Sequence, residues 1–207
     1  MVNNIPQRFR HTELLVGAAG LAKLNCEKVA VIGLGGLGSY AVEALARAGI
    51  GWLILVDYDV IRPEDTNREL HAIEGFYGLP KVTALAERAK AINPEIAVVT
   101  WQEYLRQENL ATILHGRISY VIDTTHSLPS QIPLIRYCSE RGIPVISAAD
   151  TGNRLDPFQL RIVDHSENNA VQSLQPLCEA LWEHEIHSGV KLLYSTETPI
   201  PIETKTA

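Results

Sequence analysis

The stretch VAVIGLGGLGSYAVEALARAGIG, from Val29 to Gly51, constrains this chain more than any other. Four apolar residues lead into Gly33. Gly33, Gly35 and Gly38 then satisfy G-x-G-x-x-G, and apolar positions recur at helical spacing beyond them. Such glycines permit a tight turn and let backbone approach an anion, while unpaired amides at the start of a helix bind phosphate. A strand, a turn and a helix in that order predict a nucleotide loop; the pattern alone also fits a purely structural glycine turn.

The rest of the chain repeats the alternation. Short β-branched runs at Lys28–Ile32, Trp52–Val56, Ile96–Thr100, Ser119–Ile122 and Pro144–Ser147 predict strands buried on both faces. Between them, amphipathic patterns predict helices over Gly36–Ala48, Lys81–Ile92, Gln107–His115 and Pro129–Arg141. The predicted fold is α/β: a Rossmann-like, doubly wound, mostly parallel sheet. Glu13–Leu24 reads as an amphipathic leading helix. Beyond residue 150, strands at Phe158–Val163 and Lys191–Tyr194 flank a helix near Leu174–Glu185, a C-terminal strand-helix-strand extension too small for its own core. One nucleotide-binding domain over 1–207 follows, with a leading helix at 8–25, a core at 26–150, the extension at 151–195 and a Thr- and Pro-rich tail at 196–207.

Composition narrows the function classes. Hydrophobic residues at 46% and charged residues at 20% suit a globular domain, and no apolar run reaches the ~18 residues of a spanning helix. A signal-peptide core is not visible near the start, and three scattered cysteines do not make a disulfide framework, so a cytoplasmic location is expected. A net charge of −6 argues against a general nucleic-acid coat. Any RNA contact is then confined to a local patch, for which Arg154, Arg161 and Lys191 are candidates.

Asp57 ends the second strand, where an acidic side chain reaches a ribose hydroxyl in this architecture; capping the next segment is the plainer alternative. To that point a nicotinamide dehydrogenase fits as well. Asp59, Asp65, Asn67, Arg68 and then Lys81, opening the next helix, shift the balance. Each cation alone reads as a solvated surface charge. Together they suit a triphosphate, whose developing charge is stabilised by fixed cations.

In order and spacing, GLGGLGSYAVEALARAGIG, LVDYDVI, NRELHA, GLPK and INPE resemble the ThiF/MoeB adenylating family, with its ubiquitin-activating-enzyme-like fold. RF near the start, HA after NR, then DP, a short helix and YSTE are most similar to its tRNA threonylcarbamoyladenosine dehydratase branch. The resemblance runs from about Arg8 to Pro199. It implies ATP-dependent adenylation of the threonylcarbamoyladenosine carboxylate in tRNA, followed by cyclisation with net dehydration. It also implies Mg2+, a homodimer, and in some bacteria a sulfur relay with a cysteine desulfurase. By the resemblance Gly33, Gly35, Gly36 and Gly38 form the nucleotide loop, Asp57 binds ribose, and Arg68 and Lys81 contact phosphates and the departing pyrophosphate. Asp123 matches the first aspartate of a D-x-x-D stretch.

Three positions depart from the pattern. His126 stands where the family carries its magnesium-binding aspartate, and imidazole is a poor magnesium ligand. Asp65 replaces an asparagine and adds negative charge beside the phosphates. The two changes are opposite in sign, so one reading is a compensated swap in which Asp65 ligates the metal and His126 touches Asp65 or a phosphate; the other is a decayed site. Finally, the arginine that family dimers send across has only Arg8 and Arg10 as candidates, with His11 and Leu14 near where relatives carry it.

The cysteine that some relatives place on a crossover loop, and their paired C-x-x-C zinc motifs, do not occur in this sequence. Cys26 and Cys138 read as packed small hydrophobes, and Cys178 as a helix residue. Among the histidines, His184 and His187 stand three apart on a predicted helix face. The leading function is an ATP-dependent, adenylate-forming tRNA-modifying enzyme; the alternatives are a nucleotide-binding regulator or scaffold without turnover, and a nicotinamide oxidoreductase.

Overall fold

The computed structural model describes residues 6–167 and 174–201. It divides into two compact units, Met1–Thr124 and Thr125–Ala207. In the first, α1 (Arg10–Cys26) precedes β1 (Lys28–Ile32), α2 (Gly36–Ala48), β2 (Trp52–Val56), α3 (Lys81–Ile92), β3 (Ala97–Trp101), α4 (Gln107–Ile113) and β4 (Tyr120–Asp123). The second holds α5 (Leu128–Glu140), β5 (Val145–Asp150), β6 (Leu160–Asp164), α6 (Gln175–Glu183) and β7 (Val190–Ser195).

Every strand pair of the first unit is parallel. β1 pairs with β2 on one side, Lys28 opposite Trp52, and with β4 on the other, Val29 opposite Tyr120; β2 pairs with β3. The order is therefore β3-β2-β1-β4. The chain reverses its direction of travel between β1 and β4, and in open α/β sheets ligands bind outside the carboxyl ends of strands at such a point. Val31, Leu53 and Leu55 of the sheet pack with Val42 and Ala46 of α2 and with Leu85 of α3 to form the core beneath it. In the second unit, β5 pairs parallel with β7, and β7 pairs antiparallel with β6. β5 groups with the later elements in the second unit.

The α/β Rossmann-like architecture and the C-terminal strand-helix-strand stand as predicted, and β1, β2, α2 and α3 have the predicted limits. Local differences have physical causes. β3 is partly exposed instead of buried on both faces, because among the described residues of its unit it pairs with β2 alone. The fourth helix stops at Ile113, where Gly116 turns the chain with φ +77° and the His115 ring bonds the Thr112 carbonyl. Pro157–Gln159 form a 3-10 turn instead of the start of a strand, because the Asp156 carboxylate accepts from the Phe158 amide. The leading helix is longer than predicted and broken at Gly17, whose φ of +73° is not helical. Leu21 is its buried residue, and Leu14, Leu15 and Val16 face outward, so it is not a simple amphipathic helix. Cys138 and Cys178 are buried as small hydrophobes, whereas Cys26, at the very end of α1, is exposed. His184 caps α6 and His187 lies beyond it against Trp182, so they do not share a helix face.

Candidate functional site

The carboxyl ends of β1, β2 and β4 carry the loop that the sequence singled out. Gly33 follows β1 with φ +83°, and its amide donates to the Val56 carbonyl at 2.9 Å. A methyl group on Gly38 would lie 2.0 Å from the Gly33 carbonyl oxygen, so the end of β1 and the first turn of α2 meet with no room for a side chain. Thr124 closes the far side, its hydroxyl donating to the Gly33 carbonyl at 2.8 Å. Gly35 and Gly36 differ. A methyl there would come no closer than 3.5 Å to Glu69 and 3.6 Å to Arg68 respectively, so these two glycines open toward those side chains. Two glycines make the turn, and two leave space above it.

Asp57, one residue past β2, spans from strand to loop. Its Oδ2 accepts from the Leu34 amide at 2.6 Å and its Oδ1 from the Asp59 amide at 2.8 Å. Asp59 accepts from the Arg62 guanidinium at 2.7 Å. Asp123 ends β4 opposite Ile32 and is fully buried. Tyr58, exposed beside Asp57, packs its ring 5.4 Å from that of Tyr104 beyond β3, and the Arg106 guanidinium covers Tyr104.

Between β2 and α3, two cations and several carboxylates are drawn together. The Lys81 Nζ donates to Glu69 Oε1 at 2.9 Å and lies 3.6 Å from Asp65 and 3.8 Å from Asp59. Arg68 donates to Asp65 Oδ1 at 2.8 Å and passes 3.6 Å from Glu69. Glu69, Asp65 and Lys81 are buried, while Arg68 and Asn67 remain exposed. Burial by itself would push the Lys81 ammonium down. The Glu69 hydrogen bond and the charges of Glu69, Asp65 and Asp57 outweigh it, holding Lys81 above the ordinary lysine value. For Asp65, burial pulls upward and is outweighed by the Arg62 amide and the charges of Lys81 and Arg68, so its carboxyl sits below the usual range.

All the sequence-derived candidates from Gly33 to Asp123 lie in the first unit. His126 stands in the second, exposed and with φ +52°. Asp65, read from sequence as a carboxylate set against phosphates or holding a metal, has its oxygens directed at Arg68, Lys81 and the Arg62 amide, which donates at 3.0 Å. Among the described residues no group of three or more His, Cys, Asp or Glu is arranged to hold a metal ion. Arg8 and Arg10 are exposed at the amino end. Arg154 and Arg161 both donate to backbone carbonyls of their own unit.

Sequence reasoning gave no role to Glu69 or to His71. Both are buried, with His71 Nε2 3.0 Å from Glu69 Oε2. The signal was present in NRELHA, where an acid directly follows the candidate arginine. Its burial against Lys81 depends on the fold of the 62–81 loop.

The ThiF family model matches residues 10–176 of the chain. The tRNA threonylcarbamoyladenosine dehydratase of Bacillus subtilis is 36% identical over 195 residues, covering 94% of this chain and 77% of that protein. The Escherichia coli protein of that name is 38% identical over 158 residues, covering 76% and 59%. The Haemophilus influenzae one is 39% identical over 166 residues, covering 80% and 64%. This chain thus spans less than two thirds of the length of the latter two. Among solved structures, the crystal structure of the E. coli tRNA N6-threonylcarbamoyladenosine dehydratase with ATP matches with a TM-score of 0.88 and 34% identity, over 94% of this chain and 83% of that one. Its AMP complex matches with a TM-score of 0.89 and 32% identity, over 97% and 84%.

Proposed function

The chain belongs to the ThiF family, and from that premise we propose that it is an ATP-dependent enzyme that activates a carboxylate by adenylation. The carboxylate is that of threonylcarbamoyladenosine in tRNA, and activation leads to its cyclisation with net loss of water. One observation carries this reading: a glycine turn with two open glycines, a strand-end aspartate bonded to that turn, and two cations beside it lie within one compact unit.

The residues fit a nucleotide. Gly35 and Gly36 leave the turn open to phosphate, Arg68 and Lys81 supply positive charge, and Asp57 offers its carboxylate to a ribose. Tyr58, exposed beside Asp57, offers an aromatic ring to a purine. ATP supplies the adenylyl group. The fixed charges of Arg68 and Lys81 stabilise charge that develops on phosphoryl oxygens as pyrophosphate leaves. Asp59, Asp65, Asn67 and Asp123 complete the surroundings of the site within its unit; we assign His126 to it from its sequence position. Mg2+ accompanying the triphosphate would be held mainly by phosphate oxygens and water, as is usual for this ion, and would offset charge on the phosphates.

The same reading makes the protein a cytoplasmic homodimer acting on tRNA, with a sulfur-relay or desulfurase partner as a further association. Among the described residues no helix is long and apolar enough to cross a membrane. We also retain 1–207 as one functional module. A pyrophosphate-exchange assay with ATP, Mg2+ and tRNA carrying threonylcarbamoyladenosine tests the activity: exchange dependent on that tRNA is expected. In a deletion strain, tRNA nucleosides should show the open precursor in place of the cyclic form. An unchanged profile removes the assignment.

A second reading, nucleotide binding without turnover, draws on the carboxylates of Asp59, Asp65 and Glu69 around Lys81. It is distinguished by calorimetry that shows ATP bound and no pyrophosphate released.

A further inference from the structure

Glu69 is the feature of this site that the proposed function does not use. Its side chain is fully buried, and Oε1 receives the Lys81 hydrogen bond. Its other oxygen, Oε2, lies 3.0 Å from His71 Nε2, an ion-pair distance, but among the described residues neither that oxygen nor either ring nitrogen of His71 has a hydrogen bond of good geometry. A buried carboxylate oxygen without a well-directed donor is costly, and such a group in a folded protein calls for an explanation. The carboxylate also borders the nucleotide loop, because a methyl on Gly35 would lie 3.5 Å from Oε1. Arg68, whose stem lies over Gly36, is 3.6 Å from the same oxygen.

One buried anion therefore contacts both cations proposed for the triphosphate and abuts the glycine that opens the turn. A carboxylate in that position offers the cations what a phosphate oxygen would. Resting on the nucleotide reading above, we propose that Glu69 is an internal stand-in for phosphate, which holds Lys81 in the absence of nucleotide and must release it for a triphosphate to bind. Glu69 is thus a positioning residue. It sets the affinity of the site for polyphosphate by competing for Lys81 and by repelling the incoming charge. Asp65 and Asp59 remain near Lys81 when Glu69 lets go, so the ammonium is never left unpaired in the interior. A monophosphate brings less charge and gains less from the release.

The test is calorimetric titration of the full chain with ATP and with AMP, each with Mg2+, for the wild type, Glu69→Gln, Glu69→Ala, Lys81→Met and the Glu69→Gln/Lys81→Met pair. Glu69→Gln should bind ATP at least about tenfold more tightly than the wild type, with a much smaller gain for AMP. The gain should vanish in the Lys81→Met background. Melting temperatures are read first: Glu69→Gln, which keeps the shape and one acceptor oxygen, should melt close to the wild type, and Glu69→Ala should melt lower but still fold, since Asp65 and Asp59 remain near Lys81. Loss of folding in both overturns the proposal, because the carboxylate would then be a structural clamp. Equal gains for ATP and AMP, or a gain that survives Lys81→Met, also overturn it. Wild type that binds ATP beside a Glu69→Gln no tighter removes this inference alone. Failure of every form to bind ATP removes the nucleotide reading, and this inference with it.

Discussion

The Asp57 carboxylate accepts the Leu34 amide at 2.6 Å, tying the end of the second strand to the turn that follows the first. The same carboxylate accepts the Asp59 amide. The side chain proposed to meet a ribose is therefore also a brace for the glycine turn.

Asp57→Ala should consequently lose both shape and binding. Hydrogen bonds to charged groups contribute roughly 1.5–3 kcal/mol, so urea denaturation should show a loss of about that size. Nucleotide affinity measured by calorimetry should fall with it. Asp57→Asn keeps one acceptor and should retain more of the stability than of the binding.

The glycines separate by space. Gly38→Ala places a methyl 2.0 Å from a backbone oxygen and should destabilise by about 3 kcal/mol or more, if it folds at all. Gly36→Ala meets only the flexible Arg68 stem at 3.6 Å. It should melt near the wild type and lose ATP affinity instead. Paired thermal melts and titrations read both outcomes.

Arg68 and Lys81 also divide. Arg68 is exposed, and its ion pairs contribute no more than about 1 kcal/mol to folding. Arg68→Ala should fold normally and lose adenylation in the exchange assay. Lys81 is buried among Asp59, Asp65 and Glu69, so Lys81→Met leaves uncompensated charge and should cost on the order of 3–5 kcal/mol in denaturation as well as activity.

The two shifted groups of this cluster bound a pH window. Asp65 lies below its ordinary 3.8, so its contribution is present above that value and is lost as pH falls through the lowered one. Lys81 lies above its ordinary 10.5, so its contribution is present below that value and is lost as pH rises through the raised one. Stability against pH should therefore fall at both extremes. Asp65→Asn should flatten the acid limb, and Lys81→Met the alkaline one.

How far the sequence reached follows from what each signal depends on. The limits of β1, β2, α2 and α3 were legible because apolar periodicity, Gly49 and Pro80 mark them locally. The break in α1 was not, since a lone glycine in a helical pattern does not declare a positive φ. Nor was the exposure of β3, which depends on the number of neighbours in the sheet. Within the candidate site, Gly33 through Gly38, Asp57, Arg68 and Lys81 were legible as residue types at a spacing. Glu69 and the actual partners of Asp65 were not, because they depend on how the 62–81 loop folds back over the glycine turn and which charges that brings within 4 Å.

The burial of Lys81 has a chemical corollary. Its side chain is only 6% exposed and its amine is held protonated, so it is a poor nucleophile toward acylating reagents. Lys23, Lys90 and Lys191 stand in solvent and would be labelled long before it. The order in which lysines are acetylated therefore serves as a clock for the opening of this cluster, readable by peptide mass mapping without any nucleotide analogue.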